Sequence, residues 1–82
     1  MELIDINNKR RSSLKAASEL LERAYTVITQ AREDEEDAID NMPDNLQNSE
    51  RYELMEETAS LLSDAEECID TAISKISDAC QK

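Results

Sequence analysis

The chain has 82 residues, 20 Asp and Glu against 9 Lys and Arg, a formal net charge of -11, a single proline, and no Gly, His, Phe or Trp. Without glycine there is no phosphate-cradling loop, dinucleotide fingerprint or nucleophile elbow, and without histidine the usual general base and the usual zinc ligand are both missing. A β-rich fold of this size would need Gly-containing turns and aromatic or β-branched runs, so the composition points to one small all-α domain.

At the N-terminal end, Asp5, Asn8 and Ser12 are possible caps for a first helix, and a start between Asp5 and Asn8 is expected. Leu3, Ile4 and Ile6 form its first turn or a short arm. Lys9, Arg10, Arg11 and Lys15 follow as a basic group. With Leu14 as heptad position a, the a column continues through Leu21, Ile28, Glu35 and Met42, and the d column holds Ala17, Ala24, Ala31 and Ala38. This 3-4 spacing predicts a helix over residues 6–41. The residue before a proline avoids the helical region, so Pro43 stops that helix near Asn41. Residues 42–48 then make a short turn, with Leu46 closing the end of the core.

Asn48 and Ser49 are candidate N-caps for a second helix over residues 49–80, with Glu50 and Glu53 near the positive end of its dipole. Its a column is Met55, Leu62, Ile69 and Ile76, and its d column is Thr58, Ala65, Ala72 and Ala79. In an antiparallel pair, large a residues should oppose small d residues. One register does this throughout: Leu14 faces Ala79, Leu21 faces Ala72, Ile28 faces Ala65, and Ala38 faces Met55. Its midpoint falls beside Leu46, inside the expected turn. Glu35 opposite Thr58 is its one polar layer. The expected architecture is a single domain spanning residues 1–82, an antiparallel two-helix coiled-coil hairpin shaped as a rod of roughly 45 Å.

Apolar residues also flank the seam, Leu20, Val27, Leu54, Leu61 and Cys68 on one side and Tyr25, Ile39, Ala59, Ile73 and Cys80 on the other. A stripe this wide is what a four-helix bundle buries. A homodimer is therefore expected, with Leu20, Val27, Leu54 and Leu61 at its interface, or else packing of this stripe on a partner protein. Cys68 and Cys80 lie twelve positions apart on one helix, roughly 18 Å of rise and beyond disulfide reach. They read as small hydrophobes. No apolar run approaches the ~18 residues of a membrane span, and no signal-peptide h-region opens the chain. The expectation is a cytoplasmic protein with no membrane partner.

Charge is uneven. Residues 33 to 70 hold 15 acids and one base, Arg51. The hairpin register brings Glu33, Asp34, Glu36, Asp37 and Asp40 of the first helix together with Glu53, Glu56 and Glu57 of the second, at the turn end. The acid run opposes the dipole at the end of the first helix, and pairs such as Glu33/Asp37 and Glu53/Glu57 cost roughly 0.2–0.5 kcal/mol each. Stability alone does not select this pattern, so these eight residues are the expected partner-binding surface. A basic protein surface is the expected ligand; net charge disfavours direct nucleic-acid binding. The turn lacks the alternating ligands and central Gly of an EF-hand, and no cofactor or metal is expected. Glu53-x-x-Glu56 and Glu67-x-x-Asp70 are similar in form to the carboxylate pairs of all-helical nucleotide pyrophosphohydrolases, which implies a remote alternative as a magnesium-dependent enzyme. Both pairs lie on one helix, with no base-binding aromatic or catalytic Lys beside them, so no enzymatic activity is expected.

The stretch from Ala31 through Arg51, with its acid run, Asp40-Asn41-Met42-Pro43 turn, Leu46-Gln47 and Ser49-Glu50-Arg51, followed by Met55-Glu56, resembles short acidic helical proteins of bacteriophages and prophages. The resemblance covers about a third of the chain and carries no catalytic or ligand residues. It implies a phage or prophage source and action in the bacterial host cytoplasm. By analogy with small acidic phage proteins, the expected function is to bind and inhibit a host protein, such as a defence or nucleic-acid-binding protein; a structural or assembly role in a phage is the alternative.

Overall fold

A computed structural model describes residues 3–47 and 49–82, with side chains from Asn7 onward. It is an elongated helical hairpin. Helix α1 spans Leu3–Asp40 and helix α2 spans Glu50–Cys80, with a single 3-10 turn at Asp44–Leu46 between them and no strand among the described residues. The chain is already helical at Leu3. Asp5, Asn8 and Ser12 therefore lie within α1 and do not cap it, because no Gly or Pro interrupts the run before Pro43. Arg10 instead donates to Asn7 Oδ1 at 3.0 Å along the helix surface.

The reversal is made without a left-handed residue: no described residue has positive φ. Met42 N–H closes onto Ile39 C=O at 3.1 Å in a tightened last turn. Pro43 is extended, at φ -58 and ψ 146, and Leu46 N–H bonds back to its carbonyl at 2.9 Å. Ser49 then caps α2, its Oγ accepting from Tyr52 N–H at 3.2 Å. Asn48, the other cap candidate, lies outside the described residues. Leu46 does not close the core as expected. It stays 45% exposed because the 3-10 turn carries it past the end of the helix pair.

The rod measures 67 × 15 × 14 Å, longer than expected. The 38 residues of α1 at ~1.5 Å rise account for most of that length. The cross-helix hydrogen bond from Thr29 Oγ1 to Glu66 Oε2, 2.8 Å long, brings these residues close to one level, and Arg32 Nε donates to the same carboxylate. The Thr29–Glu66 pairing sits two residues along from the expected register, which had Thr29 level with Asp64. Lys82 is then level with Ser13, and the first turns of α1 run on beyond the end of α2.

The larger departure is in the phase of the seam. In α2 the covered residues are Met55, Ala59, Leu62, Glu66, Ile69, Ile73, Ile76 and Cys80, joined by Ala65 and Ala72. In α1 they run through Leu14, Leu21, Tyr25 and Ile28 to Arg32, Glu35, Ile39 and Met42, while Ala31 and Ala38 are exposed. The seam is thus built chiefly on columns a and e, and column d is divided: Ala17, Ala24, Ala65 and Ala72 are partly covered, while Ala31, Ala38, Thr58 and Ala79 are exposed. Two causes act together. A straight helix drifts ~20° per heptad against a 3.5-residue repeat. Burying Tyr25, Ile39, Tyr52 and Ile73 also removes more apolar area from water than burying alanine, at ~25 cal/mol per Å². The expected Glu35–Thr58 layer is not formed: Thr58 is exposed, its hydroxyl donating to Leu54 C=O at 2.8 Å. Among the described residues only Ala59 and Glu66 count as buried, so the core is a single thin seam.

Candidate functional site

Both helices become acid-rich toward the turn, and the hairpin brings their acids to a common groove. Glu33, Glu36, Asp37 and Asp40 of α1 and Glu56 and Asp64 of α2 line an open groove of ≈ 590 Å³, together with Ile39, Ala59, Ser60 and Ser63. Ile39 and Ala59 are both e-column residues, so the groove runs along the flank whose apolar side chains are drawn into the seam. Five of the eight predicted partner-binding residues meet here. Asp34, Glu53 and Glu57 are exposed and lie outside the groove. Asp64 is the one lining acid missed from sequence. A register set two residues along would have brought it level with Ala31, beside the acid run.

Outside the groove lining, Glu66 is 7% exposed and fully partnered. Arg32 Nε donates to its Oε1 and Thr29 Oγ1 to its Oε2, and Arg32 Nη1 reaches Glu36 Oε1 at 2.6 Å. The hydrogen bond from Arg32 holds the Glu66 carboxyl below its ordinary value, with that from Thr29 adding to it, and together they outweigh the opposing effect of burial. The Arg32 guanidinium is pushed up in turn, chiefly by Glu66. This cross-helix cluster joins e-column residues Arg32 and Glu66. Opposite charges in facing e columns were its signal in the sequence.

Arg32 is also the only described cation paired with a carboxylate. Asp37, Asp40, Glu56 and Asp64 face the groove with no basic partner among the described residues. Such a concentration of one sign over a low-dielectric wall raises the local concentration of cationic groups and steers their approach. Glu53, Glu56, Glu67 and Asp70 are exposed along α2, and no three or more Asp, Glu or Cys among the described residues converge closely enough to hold a metal ion. A smaller groove of ≈ 290 Å³ lies on the same flank at the open end, lined by Arg11, Lys15, Ser18, Ile76, Ser77 and Cys80.

The opposite flank is apolar. Leu20, Val27, Leu54 and Leu61, the predicted interface residues, are between 60% and 69% exposed. Cys68, in the same column, is exposed as well. Among the described residues no helix is long and apolar enough to cross a membrane. Compared with family models, curated proteins and solved structures, the chain matches none of them.

Proposed function

We propose that this protein is a non-enzymatic binding module whose acidic groove docks a basic surface of another protein. The observation that carries this reading is the groove itself, six carboxylates from two helices on one flank with Arg32 as the only paired cation nearby. Clustering that many like charges works against the hairpin, so the arrangement has to be favoured by something other than stability. The likeness of the turn segment to small acidic phage proteins supports a bacterial host protein as the target, bound in the cytoplasm and inhibited by occupation of its basic surface. The exposed leucine flank supports a second element of the reading, a homodimer that closes a four-helix bundle.

The test is affinity purification from host cells with the wild-type chain and with a variant carrying Asp37→Lys, Asp40→Lys, Glu56→Lys and Asp64→Lys. The expected result is a partner recovered by the wild type alone, with affinity that falls as salt rises from 0.1 M, where the screening length is ~10 Å. Recovery of the same partner by both proteins at high salt would reduce the acidic groove to a solubility device.

A further inference from the structure

The small residues of column d border the leucine flank, Ala31 and Thr58 exposed and Ala24, Ala65 and Ala72 partly covered, and give it a regular composition. In α1, Leu20, Ala24, Val27 and Ala31 alternate large and small at 4-3-4 spacing, and in α2, Leu54, Thr58, Leu61, Ala65, Cys68 and Ala72 do the same. Each helix therefore has two seams, one closed within the hairpin and one open. Because α2 runs antiparallel to α1, like columns fall on the same side of the hairpin, as the e-column residues Ile39 and Ala59 show by lining one groove. With Thr29 level with Glu66, Leu54 lies level with Asn41, Leu61 with Asp34, Cys68 with Val27 and Lys75 with Leu20. The open stripe thus starts on α2 near the turn and crosses to α1 toward the open end, one large residue per heptad.

Resting on the dimer reading above, we propose that the occupant of this open seam is a second copy of the chain turned end-for-end, so that the two turns lie at opposite ends of the bundle. The evenly spaced stripe maps onto itself when reversed: the level of Leu54 meets that of Leu20, and the level of Leu61 meets that of Val27. Charge decides between the two orientations. A parallel dimer places two acid-rich stretches side by side, each with 15 acids and one base. The reversed dimer sets Lys75 of one copy toward Asp40 and Glu53 of the other, and Lys82 toward the turn that carries Asp44 and Glu50. The shared length is about 50 Å at ~1.5 Å per residue and the face is 15 Å wide, about 750 Å² projected per copy against the ~800 Å² of a standard stable interface. The two acidic grooves then face outward near opposite ends, which makes the dimer bivalent for a partner with two basic sites.

Reversal places the twofold axis beside Ala31 and Ala65, both small, the first exposed and the second partly covered. In a Cys68→Ser, Cys80→Ser background, Ala31→Cys should form an intermolecular disulfide under mild oxidation, because Ala31 meets its own copy across the axis. In a parallel dimer Ala31 meets Ala65 of the other copy instead, so a mixture of Ala31→Cys and Ala65→Cys chains would cross-link to each other and neither alone. A spin label at Asp44→Cys reports independently: about 45 Å between labels for the reversed dimer, and under about 20 Å for the parallel one. A dimer that shows the parallel pattern overturns the orientation and leaves the dimer reading standing. A monomer by sedimentation at every concentration overturns both.

Discussion

Leu61 and Leu62 are adjacent in sequence and alike in chemistry, yet they belong to different regions of the molecule. Leu62 is covered at the seam, and Leu61 is 60% exposed on the open flank. The same contrast separates Ile73 and Tyr25, drawn against the facing helix, from Cys68 and Val27, which are not. The two flanks read as equivalent in the sequence, each with apolar residues interrupted by polar ones, such as Asp34 and Lys75 on one side and Arg32 and Glu66 on the other. Folding breaks that equivalence because two cylinders share one line of contact. Once the e columns close against each other, the g columns are carried to the outer face. Apolar spacing therefore supplies two seams per helix, and the choice of which is internal rests on which column gains more by burial.

The largest effects should come from placing a charge on either side of this divide. Ile73→Glu sets a carboxylate into the half-buried seam against the facing helix, where partial desolvation makes the charge costly. Loss of the helical circular-dichroism signal at 25 °C is expected. Leu61→Glu, on the open flank, should keep that signal at millimolar concentration while sedimentation moves from dimer to monomer. An unfolded Leu61→Glu chain would mean that the hairpin has no existence apart from its dimer. Short of charge insertion, Leu62→Ala should lower stability by about 2 kcal/mol, the low end for a leucine that keeps some exposure. Leu61→Ala should leave the monomer's stability within ~0.5 kcal/mol.

Next in size is the Arg32–Glu66–Thr29 cluster, the one polar crossing of the seam. Arg32→Ala leaves Glu66 covered and without its cation, and should lower the melting temperature more than Glu36→Ala, which removes only an exposed i,i+4 partner. The pH dependence has a definite sign. Glu66 titrates below its ordinary 4.5 in the folded chain, so its contribution is present in full above that value and lost as pH falls through the folded value. Glu66→Gln should remove that part of the acid limb of a melting-temperature profile. An unchanged limb would place the acid sensitivity elsewhere. Smaller again is the response of the acidic groove. The four-lysine variant used to test partner binding should be as stable as the wild type or slightly more so, because each relieved i,i+4 repulsion is worth roughly 0.2–0.5 kcal/mol.

What the sequence disclosed follows from how local each cause is. The helical hairpin was legible because its signals are short-range: the 3-4 periodicity, Pro43 as a stop and Ser49 as a cap. The concentration of acids near the turn was legible for the same reason, since the residues from Glu33 to Asp40 and from Glu53 to Glu57 lie within two turns of the reversal, but which of them share a groove depends on the phase of each helix. The phase of the seam was not. Columns d and e are adjacent, and only the mutual fit of two helices decides between burying Ala38 and burying Ile39. That error propagated to the Glu35–Thr58 layer, to the missed Arg32–Glu66 pair and to Asp64, all of which depend on phase or on a two-residue offset. The pair could have been found by asking which e-column residues of the two helices carry opposite charge within about a turn of one level.

The smallest expected effect tests the divide without changing the fold. Cys68 and Cys80 sit in the g and e columns of α2, the first exposed and the second partly covered by the facing helix. In the monomer an alkylating reagent should label Cys68 several-fold faster than Cys80, since access is what distinguishes two otherwise ordinary thiols. The proposed dimer through the open flank would cover Cys68 and leave Cys80 as it is in the monomer. The Cys68 rate should therefore fall as protein concentration passes through the dissociation constant found by sedimentation, and the Cys80 rate should stay level. Mass spectrometry of peptides at timed quenches reads both rates in one sample, so Cys80 serves as the internal control for any loss of reagent. A Cys68 rate that ignores concentration while sedimentation shows a dimer would move the interface off the leucine flank and onto the flank that carries the grooves. The same dimer would then cover the acidic surface, and host-protein binding and self-association would have to compete.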